Sequence, residues 1–547
     1  MDANVAREAI ELIANGVGVD LALADGTLLV DGSAIALPAD AGGWSPLAMR
    51  HALPSIAHGD AREKLLYTIV QDARVHPGTR SGLPPLLDAQ LRADLAETVP
   101  LPEPDRQIVA EAMRDAYWVT PQKRPYLVPY QSLLPTSFVH ATESPSRPGH
   151  YRAARYKLFR GVILLFLCWT GQDVDEGLVQ ELLDVMNGTD GFTVIDELLL
   201  KAARAAGADG GDALIDDLAR HGASLPEDLA DGAFCQPALD RFQRDLRTVL
   251  TMRRLPRRDL LDVLTALFSL HLAIYYYRLA VVLGEELDRA VAATGELAPP
   301  ASARGCDCSG GLGACALAGR IRFRVGTSGD RPVSMRDGCA TAYRDVDATR
   351  LLPLAATIIT ANLAQTIWHG LGGPAGKPRL RELTDAARAD AGFARKFNAA
   401  AAVFAALHAL ETEQAATAEE AAAAGLRPPG LFALRESVLA SRRSRLKYQS
   451  RDVVNQLAKR EGGGSLIRTR GRVTFFELDE DFLWLLVRLV CGEREVSFTA
   501  FVTGLRAYGL APQDGGEEVR LANALEHLGM LRRYSDAGES VYVHHNL

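Results

Sequence analysis

Apolar residues recur three and four positions apart along much of this chain, the spacing that paints one face of an α-helix. QELLDVM, VIDELLLKAARAAG and LDRFQRDLRTVLTMRR all follow it, and residues 151–298 read as a helical domain. The strongest pattern is Arg257 to Leu287, apolar nearly all round in its middle, as expected of a helix buried in the centre of a large helical domain. Tyr275, Tyr276 and Tyr277 lie within it. Three consecutive helical residues face three directions, so they cannot form one base-stacking platform, and core packing is the expectation. Helical spacing resumes at Asp347, through LLPLAATIITANLAQTIWHGL and FARKFNAAAAVFAALHALETE. The Ala/Glu stretch 413–424 then runs into Arg427-Pro428-Pro429-Gly430, a helix stop and linker, so residues 346–430 read as a continuation of the helical part.

The two ends show a different period. In residues 1–150, read as an N-terminal α+β region, VDLALA and TLLVDGSAIAL flank Asp25-Gly26, a dipeptide suited to a tight hairpin. Helical patterns follow at Arg62 to Val75 and Asp105 to Tyr117. At the other end, residues 431–547 read as a basic helix followed by a small module. Asp479 to Val490 is an amphipathic helix with acids at its start; Ser497 is placed to cap a second helix that ends at Gly509; Glu517 to Gly529 gives a third. LRRYSDAGESVYVHH then reads as strand, turn, strand, with Asp536-Ala537-Gly538 as the turn. Three helices followed by a β-ribbon is the order of a winged helix-turn-helix. The third helix offers only Arg520 and Asn523 near its start, behind two acids, so protein docking is expected ahead of base readout. The fold class is therefore mainly α: a multi-domain helical body with a small N-terminal β-hairpin, an insertion and a winged-helix-like end.

Charge sharpens this picture locally. A formal net charge of -8 excludes a simple basic DNA-coating protein. Yet Arg442, Arg443, Arg445, Lys447, Arg451, Lys459, Arg460, Arg468, Arg470 and Arg472 stand against only Asp452 and Glu461, with Gly462-Gly463-Gly464 as a joint. That segment suits sequence-independent phosphate contact, or a solvated face that pairs with the protein's own acids.

Composition is that of a globular protein, 48% hydrophobic and 23% charged, and 547 residues exceed one ordinary core. The apolar run Gly161 to Trp169 is about half of a membrane-spanning helix. The first residues, MDANVAREAIELIANG, lack a basic stretch followed by an apolar one, so a cytoplasmic address without membrane contact is expected.

Residues 299–345 break the helical pattern and carry Cys306, Cys308, Cys315 and Cys339. Four thiolates on two loops can close a tetrahedral zinc site, and an iron–sulfur cluster uses the same ligand type. The spacing C-x-C-x6-C-x23-C is not one of the common zinc forms, and four ordinary cytosolic thiols stand as the alternative. Cys168, Cys235 and Cys491 read as structural.

Catalytic constellations are missing from the sequence. Gly372-Gly373-Pro374-Ala375-Gly376-Lys377-Pro378 has Pro where a phosphate loop needs Ser or Thr, and H-E-x-x-H, G-x-S-x-G and G-x-G-x-x-G do not occur. His271 and His369 read as core histidines, and His544-His545 point to opposite faces of a strand.

The order SLHLAIYYYRLAVVL, then RIRFRVGTSGDRPVSMRDG, then RRYSDAGESVYV resembles the accessory G-type subunits of bacterial phosphorothioation-dependent DNA restriction and anti-phage defence systems. The resemblance covers about residues 250–547. It implies an ATPase, helicase or translocase partner and a role in defence against foreign DNA, without assigning a catalytic residue. The function read from the sequence is a non-catalytic adaptor that docks such a partner and contacts DNA. The alternatives are a metal-dependent enzyme or redox sensor centred on the cysteines, and a winged-helix transcriptional regulator.

Overall fold

The computed structural model of the chain describes most of residues 2–38, 235–295, 317–326, 353–374, 380–442, 466–534 and 540–545, with short pieces elsewhere. In chain order, α1 (Ala3–Val17) precedes β1 (Leu21–Ala24), β2 (Thr27–Val30) and β3 (Ser33–Ala36). Two small hairpins follow, β4 (Trp118–Val119) with β5 (Tyr126–Leu127) and β6 (Ala141–Ser144) with β7 (Arg147–Ala153). Next come α2 (Gln236–Leu250), α3 (Arg257–Thr294), β8 (Ile321–Val325) and the helices α4 (Leu354–Gly370), α5 (Leu380–Ala389), α6 (Ala391–Glu411), α7 (Ala418–Leu426) and α8 (Gly430–Arg442). The chain closes with β9 (Ile467–Arg470), β10 (Val473–Leu478), α9 (Glu480–Cys491), β11 (Val496–Ser497), α10 (Phe498–Ala507), β12 (Leu510–Pro512), α11 (Gly515–His527), β13 (Leu531–Tyr534) and β14 (Ser540–Val543). The protein is mainly helical, with a small antiparallel sheet near its N-terminus.

These elements group into two compact units, neither contiguous in sequence. The first takes Met1–Leu53, Tyr276–Ser309 and Ala348–Arg451. Its centre is α6, whose run of alanines is buried and lets α7 and α8 approach closely. A Cβ on Gly425 of α7 would lie 2.4 Å from the Ala402 carbonyl oxygen, so only glycine fits there. Thr417 and Glu420 form a reciprocal capping box at the start of α7. Ahead of it, α1 lays Ala6, Ala9, Ile10 and Ile13 against α6 and α7.

The three-stranded meander rests on α4, where Ile35 meets Gly370. Both of its turns are Asp-Gly pairs with positive φ, Asp25-Gly26 and Asp31-Gly32, the backbone that two-residue hairpins require. The stretch TLLVDGSAIAL is thus two strands folded back at a second Asp-Gly, where the sequence pattern suggested one.

The second unit takes Pro54–Tyr275, Gly310–Asp347 and Asp452–Leu547. It holds a mixed sheet of order β12-β8-β10-β9, in which β8 runs parallel to β10 and β12 while β9 is antiparallel to β10. A second sheet has the order β11-β14-β13. Tyr151, the expected start of the helical stretch, lies in strand β7. The helical patterns at 62–75 and 194–207 and the apolar run 161–169 lie outside the described residues, as does nearly all of the pattern at 105–117.

Helix α3 contributes to both units, changing from the second to the first between Tyr275 and Tyr276. Its Ala266–Thr294 part is long and apolar enough to cross a membrane by length and hydropathy, but its most apolar window is wholly buried within the protein. Tyr275, Tyr276 and Tyr277 are all core residues.

Candidate nucleic-acid and partner interface

The C-terminal elements are assembled by local signals that the sequence states openly. Asp479 caps α9 by accepting from the Phe482 amide at 3.2 Å, Ser497 caps α10 through the Ala500 amide at 3.2 Å, and Asp514 caps α11 through the Glu517 amide at 3.0 Å. Phe482, Leu486, Phe501, Leu505, Leu521, Leu525 and Val543 are fully buried between these helices and the small sheet. In that sheet β14 is central: Val543 pairs with both Val496 and Leu531, and Tyr542 with both Ser497 and Arg532. The turn at 536–538 lies outside the described residues.

The outward side of α11 carries Glu518, Val519, Arg520, Asn523 and Glu526. Its cations are committed to local acids. The buried Glu517 carboxylate accepts from Arg520 Nη1 at 2.9 Å, from Arg324 Nε at 3.4 Å and from the Val325 amide at 3.1 Å. One of the two acids that seemed to spoil a groove-reading helix is therefore a structural tie between α11 and β8. On the ribbon, Arg532 pairs with Glu495 at 2.6 Å and Arg533 with Glu526 at 3.0 Å. Arg520, Arg532 and Arg533 thus each face a carboxylate. Tyr534 and Tyr542 stack edge-on at 5.5 Å beside Glu495.

The basic segment is divided among different elements. Arg442 is the last residue of α8 in the first unit, whereas Arg468 and Arg470 belong to β9 in the second. Arg443, Arg445, Lys447, Arg451, Lys459, Arg460 and Arg472 lie outside the described residues. Of the four clustered cysteines, Cys306, Cys308 and Cys339 also lie outside them. Cys315 is buried, and its Sγ accepts from the Leu317 amide at 3.5 Å. Among the described residues no group of three or more His, Cys, Asp or Glu side chains is arranged to hold a metal.

Neither a protein-family model nor a curated protein matches this sequence.

Among the described residues, a buried polar network in the second unit joins three elements. Asp245 on α2 accepts from the Tyr508 hydroxyl at 2.9 Å and bonds His271 Nε2 on α3 at 3.0 Å. Arg241, one turn earlier on α2, donates to the same tyrosine oxygen at 2.6 Å and lies over its ring at 4.5 Å. Asp245, His271 and Tyr508 are all buried. Burial, followed by the Asp245 charge, raises the Tyr508 pKa well above its usual range, so the phenol stays protonated and donates. With nearly every face covered by protein, the network positions α2 and α3 against the turn after α10. Only Arg241 reaches solvent, at 21% exposure.

The histidines expected in the core divide. His271 is a satisfied core residue, but His369 is exposed in the last turn of α4. His408 and Ser437 face each other at 2.9 Å between α6 and α8, with the serine also donating to the Ala405 carbonyl. Both are buried, which makes them a helix-packing pair. Cys491 is buried too, and desolvation pushes its thiol up to about 11, leaving it unreactive near neutral pH.

Proposed function

We propose that this chain is a non-catalytic adaptor subunit of a bacterial DNA restriction or anti-phage defence complex. Its helical part docks an ATPase or translocase partner, and its C-terminal region is a winged-helix-like module beside a DNA-contacting basic segment.

The observation that carries the reading is the order of the last elements. Helix α9, strand β11, helices α10 and α11, then β13 and β14, with β14 between β11 and β13, is the connectivity expected of a winged helix. The electrostatics favour protein docking over groove reading for that module. Between Asp479 and Val543 there are eleven acidic residues against six basic ones, and the arginines of α11 and the ribbon are held by carboxylates. A base-reading helix presents free Arg, Lys, Asn or Gln, and here Asn523 stands nearly alone. DNA contact falls instead to the basic residues upstream.

The test is purification of the tagged chain from its native host at graded salt, with mass spectrometry of what remains bound. A stoichiometric ATPase or helicase that stays at high salt is the expected result. A chain recovered alone at every salt concentration overturns the adaptor reading.

A further inference from the structure

We propose that Arg322 of β8 and Arg506 of α10 form a DNA-phosphate contact at the β12 edge of the mixed sheet; this rests on the reading that the chain handles DNA. Both side chains are exposed, and both belong to the second unit. Far apart in the chain, they are brought together by the pairing of β8 with β12. In that parallel pair Arg322 stands in register with Ala511, and neighbours in register share one side of a sheet. The stem of Arg506 reaches the same place: a Cβ on Gly319 would lie 3.5 Å from Ala511 Cβ and 3.6 Å from Arg506 Cγ. Two bonds fix this corner of the sheet. The Ile321 amide donates to the Gly509 carbonyl at 2.8 Å, and Arg322 Nη1 donates to the Pro512 carbonyl at 3.0 Å. Groups carried on strands and helices are held more precisely than groups on a loop.

Charge decides what the corner attracts. Among the described residues neither arginine pairs with a carboxylate, and the Pro512 carbonyl orients Arg322 without neutralising it. Acids of the same unit are already engaged. Glu517 holds Arg324 and Arg520, the Asp514 carboxylate caps α11, and Asp245 takes Tyr508, two residues after Arg506. On the ribbon, Arg532 and Arg533 face Glu495 and Glu526. A guanidinium carries five donors in a planar fork that matches phosphate oxygens two at a time. Arg322 commits one of its donors and Arg506 none, so each keeps a fork for an anion. Arginines that meet phosphates confer affinity and orientation without reading sequence. The corner thus adds a contact in the second unit to the basic segment upstream.

The experiment uses the full chain and two fluorescein-labelled DNA duplexes of unrelated sequence, with anisotropy titrations over a series of salt concentrations. For Arg322→Ala/Arg506→Ala the slope of log K against log salt should become shallower by about 2, equally on both duplexes. Arg322→Lys/Arg506→Lys should keep the wild-type slope, which separates charge from a folding defect; a lysine variant that loses it overturns the proposal. Arg532→Ala, whose cation is held by Glu495, should leave the slope unchanged. If wild type binds and the double alanine variant keeps its slope, the corner is not the contact, and a co-purifying protein lost with that variant would assign the corner to an acidic protein surface instead. If wild type binds neither duplex, the proposal falls together with the DNA part of the function, while recovery of an ATPase partner still tests the adaptor part. A loss confined to one duplex also overturns it, because that outcome requires base readout.

Discussion

The Tyr508 hydroxyl bonds two residues of α2 from far along the chain, donating to Asp245, 263 positions away, while accepting from Arg241. Tyr508→Phe keeps the ring and removes only that oxygen, so its effect isolates the network. Hydrogen bonds to charged groups are worth about 1.5–3 kcal/mol each, and the variant should lose roughly that amount of stability in urea titrations. Asp245→Ala should cost more, about 3–5 kcal/mol, because Arg241 then loses its buried counter-charge.

The pH dependence has a definite sign. Folding raises the Tyr508 pKa, so above pH ~10 the unfolded chain gives up a proton that the folded chain retains. Stability should therefore fall as pH rises beyond ~10, and the difference between wild type and Tyr508→Phe should shrink there. A difference that stays constant through that range would mean the phenol is not held protonated by the fold. Little of this network is legible in the sequence. His271 reads as a core residue, which it is, but nothing local marks Asp245 or Tyr508 as its company.

At the scale of elements, what is legible is what depends on near neighbours. The Ser497 cap, the Asp25-Gly26 turn, the acid-led helix after Asp479 and the buried run of α3 all follow from residues within a few positions of each other. Strands β10, β11 and β12 escape notice because their partners are distant or their lengths are two or three residues; β10 pairs in parallel with β8, from a different part of the chain. Helix α1 carries an apolar face of Ala6, Ala9, Ile10 and Ile13 at helical spacing, a pattern as local as those above.

Glycines make the same contrast within helices. Gly425 on α7 sits against the backbone of Ala402, whereas Gly284 on α3 has open space where a Cβ would go. Gly425→Ala should cost about 1–3 kcal/mol through forced separation of α6 and α7. Gly284→Ala should be neutral or stabilising by up to about 1 kcal/mol, from helix propensity alone. Equal urea midpoints for the two variants would remove the close approach of α6 and α7 from the account.

At the scale of the molecule, the sequence reads as contiguous blocks, while contacts group stretches far apart in the chain into two units. Long-range pairing and burial decide that grouping, and neither has a local signature. Each unit has its own core, one built around the alanines of α6 and the other around the two small sheets and the Asp245 network. Chains with separate cores commonly depart from two-state unfolding. The variants above give each unit its own probe, since Gly425 belongs to the first and Tyr508 to the second. Hydrogen exchange under mild denaturant should show Gly425→Ala lowering protection in α6, α7 and α8 while α9, α10 and α11 keep theirs, and Tyr508→Phe should do the reverse. Helix α3 contributes residues to both units, so its exchange reports how far the two cores communicate. If either variant lowers protection in every helix to the same extent, α3 couples the cores into one cooperative structure, and the division into two units describes geometry without describing stability.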